Sequence, residues 1–136
     1  IAVAQQAGAP RACIAQRWQR GDDLPGFGHA LYPHGDPRGA ELLARARLRH
    51  AGMREMAALE TLIAATEDIS GLRPNIDFML AAICHLNRLP ATPALVMFAA
   101  GRLAGWLAHA LEQQAQGRLI RPRASYTGVT PPAAPN

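Results

Sequence analysis

Four short segments of this sequence combine residue types that could carry out chemistry. The first is a glycine-rich loop with the order Pro-Gly-Phe-Gly-His over residues 25–29, followed by Asp36-Pro37-Arg38. The two glycines would let a ligand pack against bare backbone amides, and His29 could exchange protons or hydrogen bonds with that ligand near neutral pH. A plain turn with an incidental histidine explains the same spacing equally well.

The second segment surrounds a carboxylate, Asp77, with apolar residues in the order Pro-Asn-Ile-Asp-Phe over residues 74–78. Pro74 starts a new helix here, so Asp77 falls in its first turn. A carboxylate in that position commonly interacts with the helix dipole. Against apolar walls it could instead act as a general base on a carbon acid.

Two further segments place arginine where an anion could bind. Arg102 follows Phe98 by four residues, on the same face of a predicted helix, and an arginine on an apolar face needs an anionic partner. That partner is either a ligand or a carboxylate of the chain. Arg121 lies with Arg123 in a proline-rich tail, where the guanidinium fork suits a carboxylate but ordinary solvated charge is the alternative.

Composition excludes several other kinds of chemistry. The chain has 136 residues and a formal net charge of +4, and all fourteen basic residues are arginine, so lysine-dependent catalysis is excluded. The arginines are scattered, which argues against nucleic-acid binding. Neither the two distant cysteines nor the histidines have metal-ligand spacing, so we expect no metal. No uninterrupted apolar run approaches the length of a membrane span, and we expect a soluble, cytoplasmic protein without membrane contact.

Helical periodicity dominates the elements that must position these residues. Proline and capping residues predict where helices begin, and glycines predict where they end. Residues 21–35 have no period and are predicted to be a loop, and residues 118–136 to be an extended tail. No strand pattern is found, so the fold class is predicted to be all-α. The predicted helices cover residues 12–20 after Pro10, 37–50, 53–70, 75–86 and 93–116.

Taken in this order, the segments resemble the citrate synthase family. Each motif is weak alone, but the ordered set extends over nearly the whole chain. The resemblance implies an all-helical enzyme that condenses acetyl-CoA with oxaloacetate to give citrate and CoA. The motifs that carry it are residues 25–29, 35–38, 74–78, 101–109 with Glu112, and 121–123.

The resemblance also implies roles for individual residues. Asp77 would remove a methyl proton from the acetyl thioester, and His29 would polarise the oxaloacetate carbonyl. No cofactor is implied beyond the coenzyme A thioester, which is a substrate. The substrate carboxylates would bind Arg38, Arg102 and, from the neighbouring subunit of a homodimer, Arg121, with Phe98 as a pocket wall. The coenzyme A site would comprise Leu24, Pro25, Gly26, Phe27, Gly28 and Asn75.

By the same resemblance, residues 1–82 would form the small, CoA-binding domain, and residues 83–136 the C-terminal segment of the large domain with its extended tail. The family's enolate-stabilising histidine lies in an upstream motif that nothing here matches. We therefore expect a C-terminal fragment that does not turn over alone. The family pattern also differs at Ala30, His34 and Gly39, which leaves the acyl preference open.

Three alternatives stay open. The first is a relative that uses another acyl-CoA, such as a 2-methylcitrate synthase. The second is an enzyme that works in the cleavage direction as a citryl-CoA lyase. The third, from a different class, is a non-catalytic module that binds CoA or mediates dimerisation.

Overall fold

The computed structural model describes residues 10–119, together with Ser125 and Gly128, and within those residues the chain is all-helical. An isolated β-bridge between Phe27 and Pro74 is the only extended pairing in the described part of the chain. The prediction of an all-α fold is confirmed. The helices are α1 (Pro10–Gln19), α2 (Pro37–Arg49), α3 (Arg54–Ser70), α4 (Ile76–Leu86) and α5 (Thr92–Gln116).

Local side-chain chemistry sets the helix ends. Asp36 caps α2, where its carboxylate accepts a hydrogen bond from the Arg38 backbone N–H and Pro37 occupies the first helical position. Asn75 caps α4 by accepting from the N–H groups of Asp77 and Phe78. α3 ends at Gly71, which adopts the left-handed conformation with φ 71°. The predicted starts and stops therefore agree with the structure to within a few residues.

The core lies among the first four helices. α1 packs against α3, α2 packs against α4, and α3 also contacts α4. Met79 is 1% exposed and lies at the centre of this core. A smaller cluster of Ile14, Leu24 and Ala65 seals the glycine-rich loop against α1 and α3. The main cluster comprises Leu43, Ala46, Met56, Leu59, Ile63, Phe78, Met79, Ala82 and Leu86.

The last helix, α5, is described over its whole length, and none of its residues is buried. It is also long and apolar enough to cross a membrane by length and composition, with a mean hydropathy of 1.4 over its most apolar window. The sequence pattern did not single it out, because Arg102 interrupts the apolar run. Length and composition are weak evidence for a span, since core helices of water-soluble proteins meet the same criterion.

The compact unit that holds the core ends at Leu103, inside α5. The prediction of a small-domain boundary near residue 82 stays a prediction. The predicted extended tail falls largely outside the described residues, and Arg121 lies there with it.

Candidate active site

The glycine-rich loop is held against the segment that leads into α4. The Gly28 N–H donates to the Arg73 carbonyl at 2.8 Å, and the Asn75 N–H donates to the Gly26 carbonyl at 2.9 Å. The Asn75 side-chain amide adds a donation to the Gly28 carbonyl at 2.9 Å. Because Asn75 also caps α4, these bonds connect the loop that carries His29 to the helix that carries Asp77.

Close packing makes glycine necessary within this loop. Gly26 has φ 88°, and a Cβ atom built there would lie 2.9 Å from the Phe78 Cβ. The Phe27 ring packs against the Phe78 ring, with a centroid separation of 4.8 Å. A side chain at position 26 would therefore force the loop away from α4. The glycines bring the loop close to the helix, and the backbone groups that bond to residues 73–75 are not free for a ligand.

Both ring nitrogens of His29 face an N–H donor. The Leu31 N–H donates to Nδ1 at 3.1 Å, and Nη2 of Arg38 lies within hydrogen-bond distance of Nε2, at 3.3 Å. A neutral imidazole accepts at only one nitrogen, so the two contacts belong to opposite tautomers. In the tautomer in which Leu31 donates to Nδ1, the proton is on Nε2 and can be donated to a ligand oxygen beside Arg38.

The planar guanidinium group of Arg38 has contacts along one edge and over one face. Its Nε and Nη2 atoms both donate to the Asp36 carboxylate, each at 2.9 Å. The guanidinium carbon lies 5.4 Å from the centre of the Tyr32 ring, within the range of a cation–π interaction. Tyr32 also packs against His29, with ring centroids 4.9 Å apart. Since the Arg38 side chain is 46% exposed, its other edge remains open to solvent.

Asp36 is the buried charge of the site, with its side chain fully inaccessible to solvent. Hydrogen bonds from Arg38 hold the pKa of this carboxyl at about 2, well below its usual value, and they outweigh the opposing effect of burial. The same interaction raises the pKa of the Arg38 guanidinium. The pair is therefore ionised at any pH at which the protein works.

Asp77 lies in the first turn of α4 and is exposed, so the described residues do not provide the apolar walls that the sequence suggested. Its negative charge acts on Arg38 and contributes to the raised pKa of that guanidinium. Asp36 bonds both to Arg38 and to the backbone N–H of Ile76, the residue before Asp77, and Arg38 lies beside His29. These contacts place the three predicted residues, from separate parts of the sequence, in one region of the molecule.

The residues predicted to bind coenzyme A divide between two cavities. Leu24, Pro25 and Phe27 line an apolar pocket of about 180 Å³ between α1 and α3. Gly28 and His29 instead line an open cleft of about 480 Å³. The polar atoms of Asn75 are taken up by the α4 cap and by the bond to Gly28. The assignment of these residues to coenzyme A stays a prediction.

The other predicted substrate residues are not brought to this site. No hydrogen bond or ion pair among residues 10–119 joins Phe98 or Arg102 to His29, Arg38 or Asp77, and both residues are exposed on α5. Arg121 lies outside the described residues. Within the described part of the chain, no group of three or more histidine, cysteine, aspartate or glutamate side chains could hold a metal ion.

Sequence reasoning missed two residues of this site. Asp36 was not among the predicted site residues, although its two-residue separation from Arg38 allows a side-chain ion pair. Tyr32 is an aromatic residue in a glycine-rich loop, and that loop was the only signal available for it. Gly39, noted as a departure from the family pattern, is a packing residue: a Cβ atom there would lie 2.7 Å from the Pro74 carbonyl oxygen.

Comparison with known proteins decides the family. The model of the citrate synthase C-terminal domain matches residues 2–123. The chain belongs to the citrate synthase family. It is 38% identical over 133 residues to a putative citrate synthase 2 of Mycobacterium tuberculosis, a match that covers 93% of this chain and 35% of that protein.

Two further relatives show the range of the family. The chain is 38% identical over 122 residues to a citrate synthase of Haloferax volcanii, which covers 88% of this chain and 32% of that protein. It is 36% identical over 106 residues to 2-methylcitrate synthase 2 of Corynebacterium glutamicum, which covers 76% of this chain and 28% of that protein. The chain thus spans about a third of the length of the relatives that it matches.

Proposed function

We propose that this chain supplies the small-domain part of a citrate synthase-type active site, which condenses acetyl-CoA with oxaloacetate to give citrate and CoA. One observation carries the proposal: Arg38 lies beside His29, with Nη2 3.3 Å from Nε2, and Asp36 bonds both to Arg38 and to Ile76, the residue before Asp77. Family membership supports the reaction class, and this arrangement supports the roles that the resemblance implies.

His29 polarises the carbonyl that is attacked. A carbonyl oxygen that binds the Nε2–H becomes more electron-withdrawing, and the negative charge that develops on it during attack strengthens the same hydrogen bond. The contact from the Leu31 N–H to Nδ1 favours the required tautomer, in which a substrate oxygen takes the place of the contact between Nε2 and Arg38. The adjacent Arg38 guanidinium binds a carboxylate of the same substrate through its open edge.

Asp77 removes a methyl proton from the thioester. Asp77 is exposed in the first turn of α4, and the Asn75 cap of that helix bonds to Gly28, the residue before His29. A carboxylate can accept such a proton only where the enolate is stabilised by another donor. In the family pattern, the histidine that stabilises the enolate lies in a motif that no segment of these 136 residues matches, and His29 is assigned to the carbonyl. We therefore infer that the enolate donor comes from outside this chain.

The remaining predicted residues complete the proposal. α5 belongs to the large domain, where Phe98 and Arg102 meet the substrate once the two domains are assembled. Arg121 reaches the site from the second subunit of a homodimer. The cleft of about 480 Å³ that Gly28 and His29 line is the proposed site of the thioester end of coenzyme A.

The test is CoA release from acetyl-CoA plus oxaloacetate, measured for the chain alone and for a chimaera. In the chimaera, this chain replaces the part of the Haloferax volcanii citrate synthase that it matches. We expect no release by the chain alone and clear release by the chimaera. His29→Ala or Asp77→Ala should lower the chimaera's rate on the order of a thousandfold.

The matched control is Arg45→Ala, which removes an exposed arginine paired with Glu41 on α2 and should leave the rate unchanged. Two results would favour the non-catalytic module instead. One is a chimaera that unfolds cooperatively and binds CoA but does not release CoA from acetyl-CoA. The other is a rate that does not change when His29 or Asp77 is replaced.

A second candidate is 2-methylcitrate synthesis from propionyl-CoA, which is favoured by the similarity to the Corynebacterium glutamicum enzyme of that name. Parallel assays with propionyl-CoA decide between the two, because the better acyl substrate has the higher kcat/KM. Assays with citryl-CoA and no oxaloacetate detect the cleavage direction.

A further inference from the structure

Asp36 accepts more hydrogen bonds than a helix cap requires. Its carboxylate receives the Arg38 backbone N–H at 3.0 Å, the Arg38 Nε and Nη2 at 2.9 Å each, and the Ile76 N–H at 3.0 Å. A capping side chain needs only the first of these bonds. The other three go to a substrate-binding side chain and to a second helix, forty residues away in sequence.

The bonds to Arg38 decide which part of its guanidinium faces a substrate. Asp36 occupies the Nε–Nη2 edge, Tyr32 covers one face, and Nη2 also lies 3.3 Å from Nε2 of His29, so the open edge left for a ligand is the Nη1 side. An arginine without this carboxylate would sample several rotamers. Asp36 therefore determines the direction in which the open edge of Arg38 faces.

The bond from Ile76 relates Arg38 to the catalytic base. Ile76 is the first residue of α4 and Asp77 is the next, so the carboxylate of Asp36 touches the helix turn that carries Asp77. One buried side chain thus contacts both the substrate-binding arginine and the start of the helix that bears the base.

We propose that Asp36 is the positioning residue of this site, which directs the open edge of Arg38 towards a substrate carboxylate and holds Asp77 at a fixed place relative to it. The inference rests on the proposed function, because it assigns Arg38 to a dicarboxylate substrate and Asp77 to proton removal.

The test uses Asp36→Ser in the active chimaera. Serine is a good helix cap, so it keeps the bond to the Arg38 backbone but lacks the second carboxylate oxygen and the charge that hold the guanidinium. We expect the KM for oxaloacetate to rise about tenfold and kcat/KM to fall on the order of a hundredfold, while the KM for acetyl-CoA changes little. The control Asp68→Ser breaks an exposed ion pair with Arg11 and should change none of these constants.

A double-mutant cycle with Arg38→Ala separates positioning from general destabilisation. If Asp36 acts through Arg38, then Asp36→Ser adds less than about a twofold rise in the KM for oxaloacetate once Arg38 is absent. If the two substitutions raise the KM for oxaloacetate independently, so that the double variant shows the product of the two single effects, the proposal is overturned. A serine variant with the KM of the unaltered chimaera would also overturn it, because capping would then be the whole role of Asp36.

The orientation of Arg38 can be tested without any enzyme assay. In the full 136-residue chain, the Nε–H resonance of Arg38 should be protected from exchange with water, and Asp36→Ser should remove that protection. An inactive unaltered chimaera together with this loss would overturn the proposed function and leave the role of Asp36 in orienting Arg38 intact. An Nε–H that Asp36→Ser does not affect would overturn the positioning role itself.

Discussion

The helices α1–α4 and the helix α5 are both rich in apolar residues, but they use them in opposite ways. Every buried hydrophobic residue in the described part of the chain lies between α1 and α4, and none lies on α5. Conversely, eight of the thirteen large hydrophobic side chains exposed among the described residues belong to α5. Both regions therefore contain large apolar residues, and the regions differ in whether those residues are buried.

This difference determines what each region can do by itself. Burial of apolar area is the main source of folding free energy, so α1–α4 hold their own loops and caps in place. His29, Arg38 and Asp77 all lie on that self-supporting region. Phe98 and Arg102 lie on α5, none of whose residues is buried by the residues that the structure describes. The four predictions that follow use substitutions to break or sharpen this contrast.

The largest expected effect comes from emptying the core. Met79→Ala should lower the free energy of unfolding by about 2 to 5 kcal/mol, because it removes a side chain that is 1% exposed and leaves a cavity at the centre of the main cluster. Urea unfolding measures the change. The control Leu48→Ala alters a side chain that is 84% exposed and should cost much less. Equal losses for the two variants would contradict the assigned core.

A somewhat smaller loss is expected where two backbones touch. Gly39→Ala should lower the unfolding free energy by about 3 kcal/mol, because its Cβ would meet the Pro74 carbonyl oxygen at 2.7 Å and separate α2 from the start of α4. The matched control is Gly101→Ala on α5, where a Cβ meets nothing within 4 Å. Alanine there should be neutral or stabilising, since it suits a helix better than glycine does. A tolerated Gly39→Ala would disprove the close approach.

Acid should remove the contribution of Asp36. Its folded-state pKa of about 2 lies below the ordinary value of 3.8, so its stabilisation is present above about pH 4 and is lost as the pH falls towards 2. The loss amounts to about 2 kcal/mol. Comparing the unfolding free energies of the unaltered chain and of Asp36→Ser across this range isolates it. A difference between the two that does not shrink with acid would contradict the ion pair with Arg38.

The smallest effect is expected on α5. Leu107→Ala should change the unfolding free energy of the chain by less than about 0.5 kcal/mol, because Leu107 is 57% exposed. In the chimaera, the same substitution should cost more if the added part of the enzyme covers α5. A large loss in the chain alone would mean that α5 is covered there too, for example by a second copy.

The helices could be predicted from the sequence because their boundaries depend on local signals. Asp36 with Pro37 starts α2, and Gly71 stops α3, and both signals act over a few residues. His29 and Asp77 could be predicted as reactive groups from the residues next to them in sequence and from the resemblance to citrate synthases.

What the sequence could not show depends on contacts between distant residues. Asn75 bonds to Gly28 across 47 positions, and Asp36 bonds to Ile76 across 40. Helical periodicity carries no information about such contacts. The hydrogen bonds from Arg38 to Asp36, and the packing of Tyr32 against His29 and Arg38, were therefore not predicted. The exposure of α5 was hidden for the same reason, since an apolar helix pattern does not reveal what covers it.

The most direct test of the site concerns the proton of His29. In the full 136-residue chain, ¹⁵N NMR of the imidazole at a pH where the ring is neutral reports which nitrogen is protonated. The proposed role of His29 predicts a protonated Nε2 and an unprotonated Nδ1 that accepts from Leu31, with the Nε2 signal shifting when oxaloacetate is added. A proton on Nδ1 would contradict the account, because Nε2 would then accept from Arg38 and have no hydrogen to give to a substrate carbonyl.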